Sequence, residues 1–92
     1  MAKILLITKI YPKESETNLD NLANIIKNTL SVGMQLRKYD KIPLAFGLHY
    51  LKCEFVIDER DGILDELEKL INSIMDVSQL EITNQSRLSV NM

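Results

Sequence analysis

Apolar and polar positions along this chain follow two rhythms, one of period two and one of period close to four. Residues 3–11 read Lys-Ile-Leu-Leu-Ile-Thr-Lys-Ile-Tyr, apolar and partly β-branched, which suits a central strand that Pro12 ends. Leu19, Leu22, Ile26 and Leu30 then recur at helical spacing, with Asn21, Asn24, Lys27 and Asn28 off the stripe. Thr17 followed three residues later by Asp20 is a loose capping box, and Gly33 closes the helix or the turn after it. Met34 to Ile42 predicts a second strand with Met34 and Leu36 inward. Its second half, Arg37-Lys38-Tyr39-Asp40-Lys41, is charged, as suits an edge strand that must avoid pairing with strangers.

A third strand is predicted from Leu48 to Ile57. Leu51, Cys53, Phe55 and Ile57 alternate there with Tyr50, Lys52, Glu54 and Val56. Asp58 to Gly62 forms a charged turn. Ile63, Leu67, Leu70, Ile71 and Ile74 mark a second amphipathic helix, with Asp65, Glu66, Glu68 and Lys69 outside. Ser78 to Thr83 reads as a short last strand with Leu80 and Ile82 inward, and the polar end from Asn84 is expected to be partly mobile. The order strand, helix, strand, strand, helix, strand with right-handed crossovers predicts an α+β fold. This is the ferredoxin-like βαββαβ sandwich, a four-stranded antiparallel sheet of order 4-1-3-2 with two helices on one face. Residues 1–88 are expected to form one domain and residues 89–92 a short C-terminal tail.

The chain has 92 residues, 46% hydrophobic and 26% charged, ordinary for one globular domain. A domain of this size buries roughly 60–65% of the surface its unfolded chain exposes, enough for a core without staples. The net charge of −2 argues against a dedicated nucleic-acid binder. A single cysteine, Cys53, excludes an internal disulfide and fits a reducing compartment. The apolar run near the N-terminus is too short for a membrane span and lacks a cleavage pattern. A cytoplasmic protein with no membrane partner is expected.

Catalytic constellations are missing from the pattern. His49 and Cys53 sit four apart on one predicted strand, about 13 Å at roughly 3.3 Å per residue, too far to share a metal or act as a pair. The three glycines are scattered singly, so no phosphate-cradling loop is present. The acidic residues from Asp58 to Glu68 read as a turn and a solvated helix face. Sheet-based RNA readers need aromatics on the central strands, and Tyr50 alone on the open face, beside Lys3, Lys9 and Lys52, is a poor platform. Neither a catalytic residue nor a cofactor or metal is expected.

The segment Lys41-Ile42-Pro43-Leu44-Ala45-Phe46-Gly47-Leu48 carries more information. Hairpin turns usually hold polar residues, whereas this one holds an aromatic that needs a core to enter or a partner to bind. Pro43-Leu44-Ala45-Phe46-Gly47-Leu48 resembles the proline–apolar–small–aromatic–glycine–apolar loop of the elongation factor 1-beta family. The resemblance runs from Lys3 to Leu88. It takes in the hydrophobic strand from His49 to Ile57, the acidic turn Asp58–Asp61, the acidic helix and the ending Arg87-Leu88. The length is similar to that of the compact archaeal-type form, this domain alone.

The resemblance implies a guanine nucleotide exchange factor for the GTPase elongation factor 1-alpha, acting without covalent chemistry and as a monomer in isolation. It implies partner contacts at Pro43, Phe46 and Gly47 in the loop and at Arg87 and Leu88 near the end. The family's basic residue there, a lysine in the eukaryotic branch, disturbs the magnesium site beside the nucleotide's phosphates. Here it is Arg, a planar fork rather than a point charge, and four residues follow Leu88. With strands one and three running one way and two and four the other, Phe46 and Arg87 are expected at one end of the sheet, gripping one partner. Two other readings are a small-ligand regulatory module and an RNA-binding translation factor, because fold alone carries no function.

Overall fold

The computed structural model describes residues 2–88. Its elements are β1 (Lys3–Pro12), α1 (Leu19–Thr29), β2 (Met34–Pro43), β3 (His49–Asp58), α2 (Ile63–Asn72) and β4 (Val77–Leu88), with one 3-10 turn at Ala45–Gly47. The strands form one antiparallel sheet of order β2-β3-β1-β4, the predicted order read from the other edge. The two apolar strands, β1 and β3, lie in the middle, and the charged β2 lies at an edge as its composition predicts.

Alternation decides which face is covered. Leu6, Thr8 and Ile10 of β1 and Leu51, Cys53, Phe55 and Ile57 of β3 are fully buried beneath the helices. The α1 stripe supplies Leu19, Leu22, Ala23 and Ile26, and α2 supplies Ile63, Leu67 and Ile71. Each such side chain contributes roughly 1.5–3 kcal/mol on burial, so packing rather than helix propensity holds these short helices. Thr8 is tolerated in the core because its hydroxyl donates to the Cys53 carbonyl at 3.1 Å. No described helix is long and apolar enough to cross a membrane.

Two local expectations are corrected. The cap of α1 is Asn18, not Thr17: the Asn18 side-chain oxygen accepts from the Asn21 amide at 3.0 Å, while the Thr17 amide donates to the Glu14 carbonyl. The last strand does not stop at Thr83 but runs to Leu88, so Asn84–Leu88 are ordered by pairing with β1 from Ile7 to Lys3. The register shifts between the Ile7–Asn84 and Thr8–Ile82 pairs, leaving Thr83 as the extra residue, and its hydroxyl donates to the Ile7 carbonyl. That shift breaks the apolar alternation of Leu80 and Ile82, and backbone pairing alone carries the polar remainder. The tail expected at residues 89–92 lies outside the described residues.

Candidate partner-binding surface

The loop between β2 and β3 is closed at its base by the Leu44 amide donating to the Leu48 carbonyl, and by the Leu48 amide donating to the Ala45 carbonyl at 3.3 Å. Inside it Phe46 adopts φ 62°, ψ 31°, the left-handed region that non-glycine residues rarely enter, and Gly47 follows at φ 74°. Two successive left-handed residues turn the chain outward. The Phe46 ring does not fold back on the core; the residue is 98% exposed, between the half-covered Leu44 and Leu48. A strained backbone presenting an aromatic costs on the order of 1–3 kcal/mol, and among the described residues the ring is left almost entirely uncovered. Such a combination is what an interface anchor looks like before its partner arrives.

The surroundings hold this tip in place. Behind it a cleft of about 180 Å³ is lined by Tyr11, Pro12, Lys13, Leu44, Leu48 and His49. On the helix side a wider cleft of about 460 Å³ is lined by Asp20, Lys41, Pro43 and His49, among others. Asp20, in the first turn of α1, accepts from Lys41 Nζ at 2.9 Å and from the Tyr39 hydroxyl at 3.0 Å, which ties α1 to the strand leading into the loop. The hydrogen bonds from Lys41 and Tyr39 hold the Asp20 carboxyl below the usual range. Asp20 in turn raises the Lys41 ammonium and the Tyr39 phenol. Nothing in the sequence flagged this trio, because its members lie 19 and 21 positions apart and meet only across the helix–strand contact.

Arg87 lies elsewhere. It pairs in register with Ile4, next to Leu88 opposite Lys3, and its Nη2 is 2.8 Å from Glu59 Oε1. The neighbouring Lys3 Nζ grips Asp58 Oδ1, and the Asp58 amide donates to the Gly33 carbonyl. This end of the sheet is therefore a cluster of ion pairs. The other end is the apolar tip.

The expectation that Phe46 and Arg87 share one end is overturned. β1 and β3 are antiparallel, not co-directional: Lys3 faces Asp58 and Ile10 faces Leu51. The crossovers make β1 and β2 run together and β3 and β4 run together. The loop therefore caps the end where β1 finishes, and Arg87 sits where β1 starts. From Ile4 to Pro12 is eight residues, roughly 26 Å at ~3.3 Å each, and three strand gaps of ~4.8 Å lie across the sheet. The two residues are thus about 30 Å apart.

Cys53 is buried in the core, and burial pushes its thiol up to about 12. His49 is exposed at the loop base, so the two belong to different environments on one strand. Two of the acidic residues after β3 are engaged, Glu59 by Arg87 and Glu66 by Arg60 and Ser31. Glu66 accepts from Arg60 at 3.1 Å and from Ser31 at 2.7 Å, which lowers its carboxyl from the usual value.

Residues 5–88 match the EF-1 guanine nucleotide exchange domain. Elongation factor 1-beta of Hyperthermus butylicus is 38% identical over 90 residues, 97% of this chain and 98% of that protein. The protein of the same name from Ignicoccus hospitalis is 37% identical over 97% of this chain and 96% of its own. That from Desulfurococcus amylolyticus is 38% identical over 97% and 100%. With the fold, the outward loop and near full-length similarity in agreement, the chain belongs to the elongation factor 1-beta family and carries its guanine nucleotide exchange domain.

Proposed function

We propose that this chain exchanges nucleotide on elongation factor 1-alpha through two separated contacts, an apolar anchor at the Phe46 tip and a cationic contact at Arg87 beside Leu88. The observation that carries the first contact is the strained, 98% exposed Phe46, in the loop that Pro43 enters and with Gly47 next to it. The longest axis of the fold, 46 Å, lets one small domain span two regions of a larger GTPase. The protein acts in this reading as a cytoplasmic monomer, and the exchange step needs no nucleic-acid partner.

Exchange requires no bond to this chain. Magnesium neutralises phosphate charge and holds a bound nucleotide in its GTPase. A guanidinium pressed toward that site competes with the metal electrostatically. Arg87 must first leave Glu59, a half-exposed ion pair worth roughly 0.2–1 kcal/mol, which a stronger field easily replaces. Binding the nucleotide-free form best shifts the GTPase toward that form. By linkage, the factor weakens GDP binding by the same ratio that GDP weakens binding of the factor.

The test is release of a fluorescent GDP from elongation factor 1-alpha of the same organism, with this chain at sub-stoichiometric amounts. Acceleration with turnover supports the reading. Unchanged release with both proteins folded and magnesium present removes it.

A further inference from the structure

The open face of the sheet carries a second feature. Tyr11 of β1 and Tyr50 of β3 stand side by side on the two central strands, ring centroids 5.5 Å apart and planes inclined by 39°. The sequence pattern offered only Tyr50. Antiparallel pairing of β1 with β3 brings Tyr11 beside it, one step beyond the Ile10–Leu51 pair. Lys9 and Lys52 are direct cross-strand partners on the same face, and Lys9 Nζ lies 5.4 Å from the Tyr50 ring centroid. Like charges placed opposite each other repel unless an anion is shared between them. Among the described residues neither lysine has an ion-pair partner; Asp40, opposite Lys52, and Glu81, opposite Lys9, lie outboard on the edge strands without reaching them.

We infer that this face binds single-stranded nucleic acid, with bases stacking on Tyr11 and Tyr50 and backbone phosphate lying between Lys9 and Lys52. The chemistry matches each part. Half-buried rings on adjacent central strands are the stacking platform that sheet-based readers use, and stacking tolerates any base. Two cations spaced one strand apart meet one or two phosphates. The Lys9–Tyr50 contact is weak at an exposed site and yields when a phosphate draws the ammonium away. In the row Asp40–Lys52–Lys9–Glu81 the cations stand at the centre and the acids at the rim, while Glu54 farther along β3 is neutralised by Arg37 and Lys38, which leaves the Lys9–Lys52 pair as a local basic spot on a chain whose net charge is −2. Tyr11 also lines the cleft behind the Phe46 tip, but the inference rests on the ring pair and the two lysines of β1 and β3 and does not require the exchange reading.

The experiment is fluorescence anisotropy of a labelled oligouridine RNA with the full chain, from about 20 to 200 mM salt. Expected is a dissociation constant on the order of 10–100 μM at the low-salt end, with a log–log salt slope of about −1.4 for two phosphates. Tyr50→Leu, which keeps apolar cover on the sheet, weakens binding about tenfold with unchanged thermal unfolding. Lys9→Gln reduces the slope by about 0.7, and Phe46→Ala changes neither quantity. Four results overturn the inference. They are no binding up to roughly 1 mM protein, equal affinity for duplex RNA, full affinity in folded Tyr50→Leu, or loss of GTPase binding in Tyr50→Leu without any RNA affinity. The last would give the face to the protein partner.

Discussion

Arg87 Nη2 rests 2.8 Å from Glu59 Oε1, across the start of the turn that leads into α2. The pair is largely exposed, so it holds Arg87 in a ready position rather than stabilising the fold. Arg87→Ala and Glu59→Gln should each change unfolding free energy by less than about 0.5 kcal/mol in urea titrations. In GDP-release assays Arg87→Ala should lower the exchange rate more than the affinity for the GTPase. Equal loss of both would reduce Arg87 to a docking charge.

Phe46 spends backbone strain on an exposed ring. Phe46→Ala should weaken GTPase binding by about 1–3 kcal/mol, as truncating an anchor does, with stability unchanged. Phe46→Gly should bind equally poorly yet be no less stable than the parent, because relief of the left-handed strain offsets glycine's extra unfolded-state entropy. Calorimetric titration and thermal unfolding together check both halves. An unchanged dissociation constant in either variant would take Phe46 out of the interface.

Gly33 and Gly62 separate two causes of glycine dependence. Both have positive φ, 86° and 79°. A Cβ at Gly33 would stand 2.7 Å from Asp58 Oδ2, whereas one at Gly62 meets open space. Gly62→Ala should therefore cost about 1 kcal/mol, and Gly33→Ala roughly 1–2 kcal/mol more, because it also pushes Asp58 off Lys3. Denaturant midpoints at equal m-values make the comparison.

Acid and alkali should each erode the loop's support. The depressed Asp20 and Glu66 carboxyls contribute stability that is fully present above their ordinary values, 3.8 and 4.5, and is lost as pH falls through the lower folded values. The raised Lys41 ammonium and Tyr39 phenol contribute stability that is complete below 10.5 and 10.0 and is lost as pH rises through their folded values. Asp20→Asn should flatten the stability–pH curve at both extremes, since it removes one depressed carboxyl and leaves Lys41 and Tyr39 without their charge partner, while the Glu66 contribution stays. A curve parallel to the parent's would mean the trio does not form in solution.

Cys53 should be inert while the protein is folded. With its thiol raised to about 12, the thiolate at pH 8 is on the order of one part in ten thousand, and the sulfur has no surface. Iodoacetamide should label it only in denaturant. Because the folded value is raised, stability should fall as pH climbs from 9.0 toward 12. Rapid labelling of native protein would mean that β3 opens locally.

The sequence by itself determined the element order, the sheet order and the core. Period-two alternation from Leu51 to Ile57 and the four-residue stripe from Leu19 to Ile26 each leave one face that only a two-layer sandwich can cover. It also marked Phe46, because an aromatic in a hairpin loop contradicts local turn chemistry. Three things became explicit only in the tertiary structure. Strand direction put Phe46 and Arg87 at opposite ends: neighbours in an antiparallel sheet run oppositely, so strands one and three could not be co-directional in the predicted order, and the observed register makes this explicit. Long-range pairing extended β4 through a bulge to Leu88, where backbone hydrogen bonds need no apolar signal. Side-by-side placement of distant residues made the Asp20–Tyr39–Lys41 trio and the Tyr11–Tyr50 pair, because chain separation hides every contact that only the folded sheet creates.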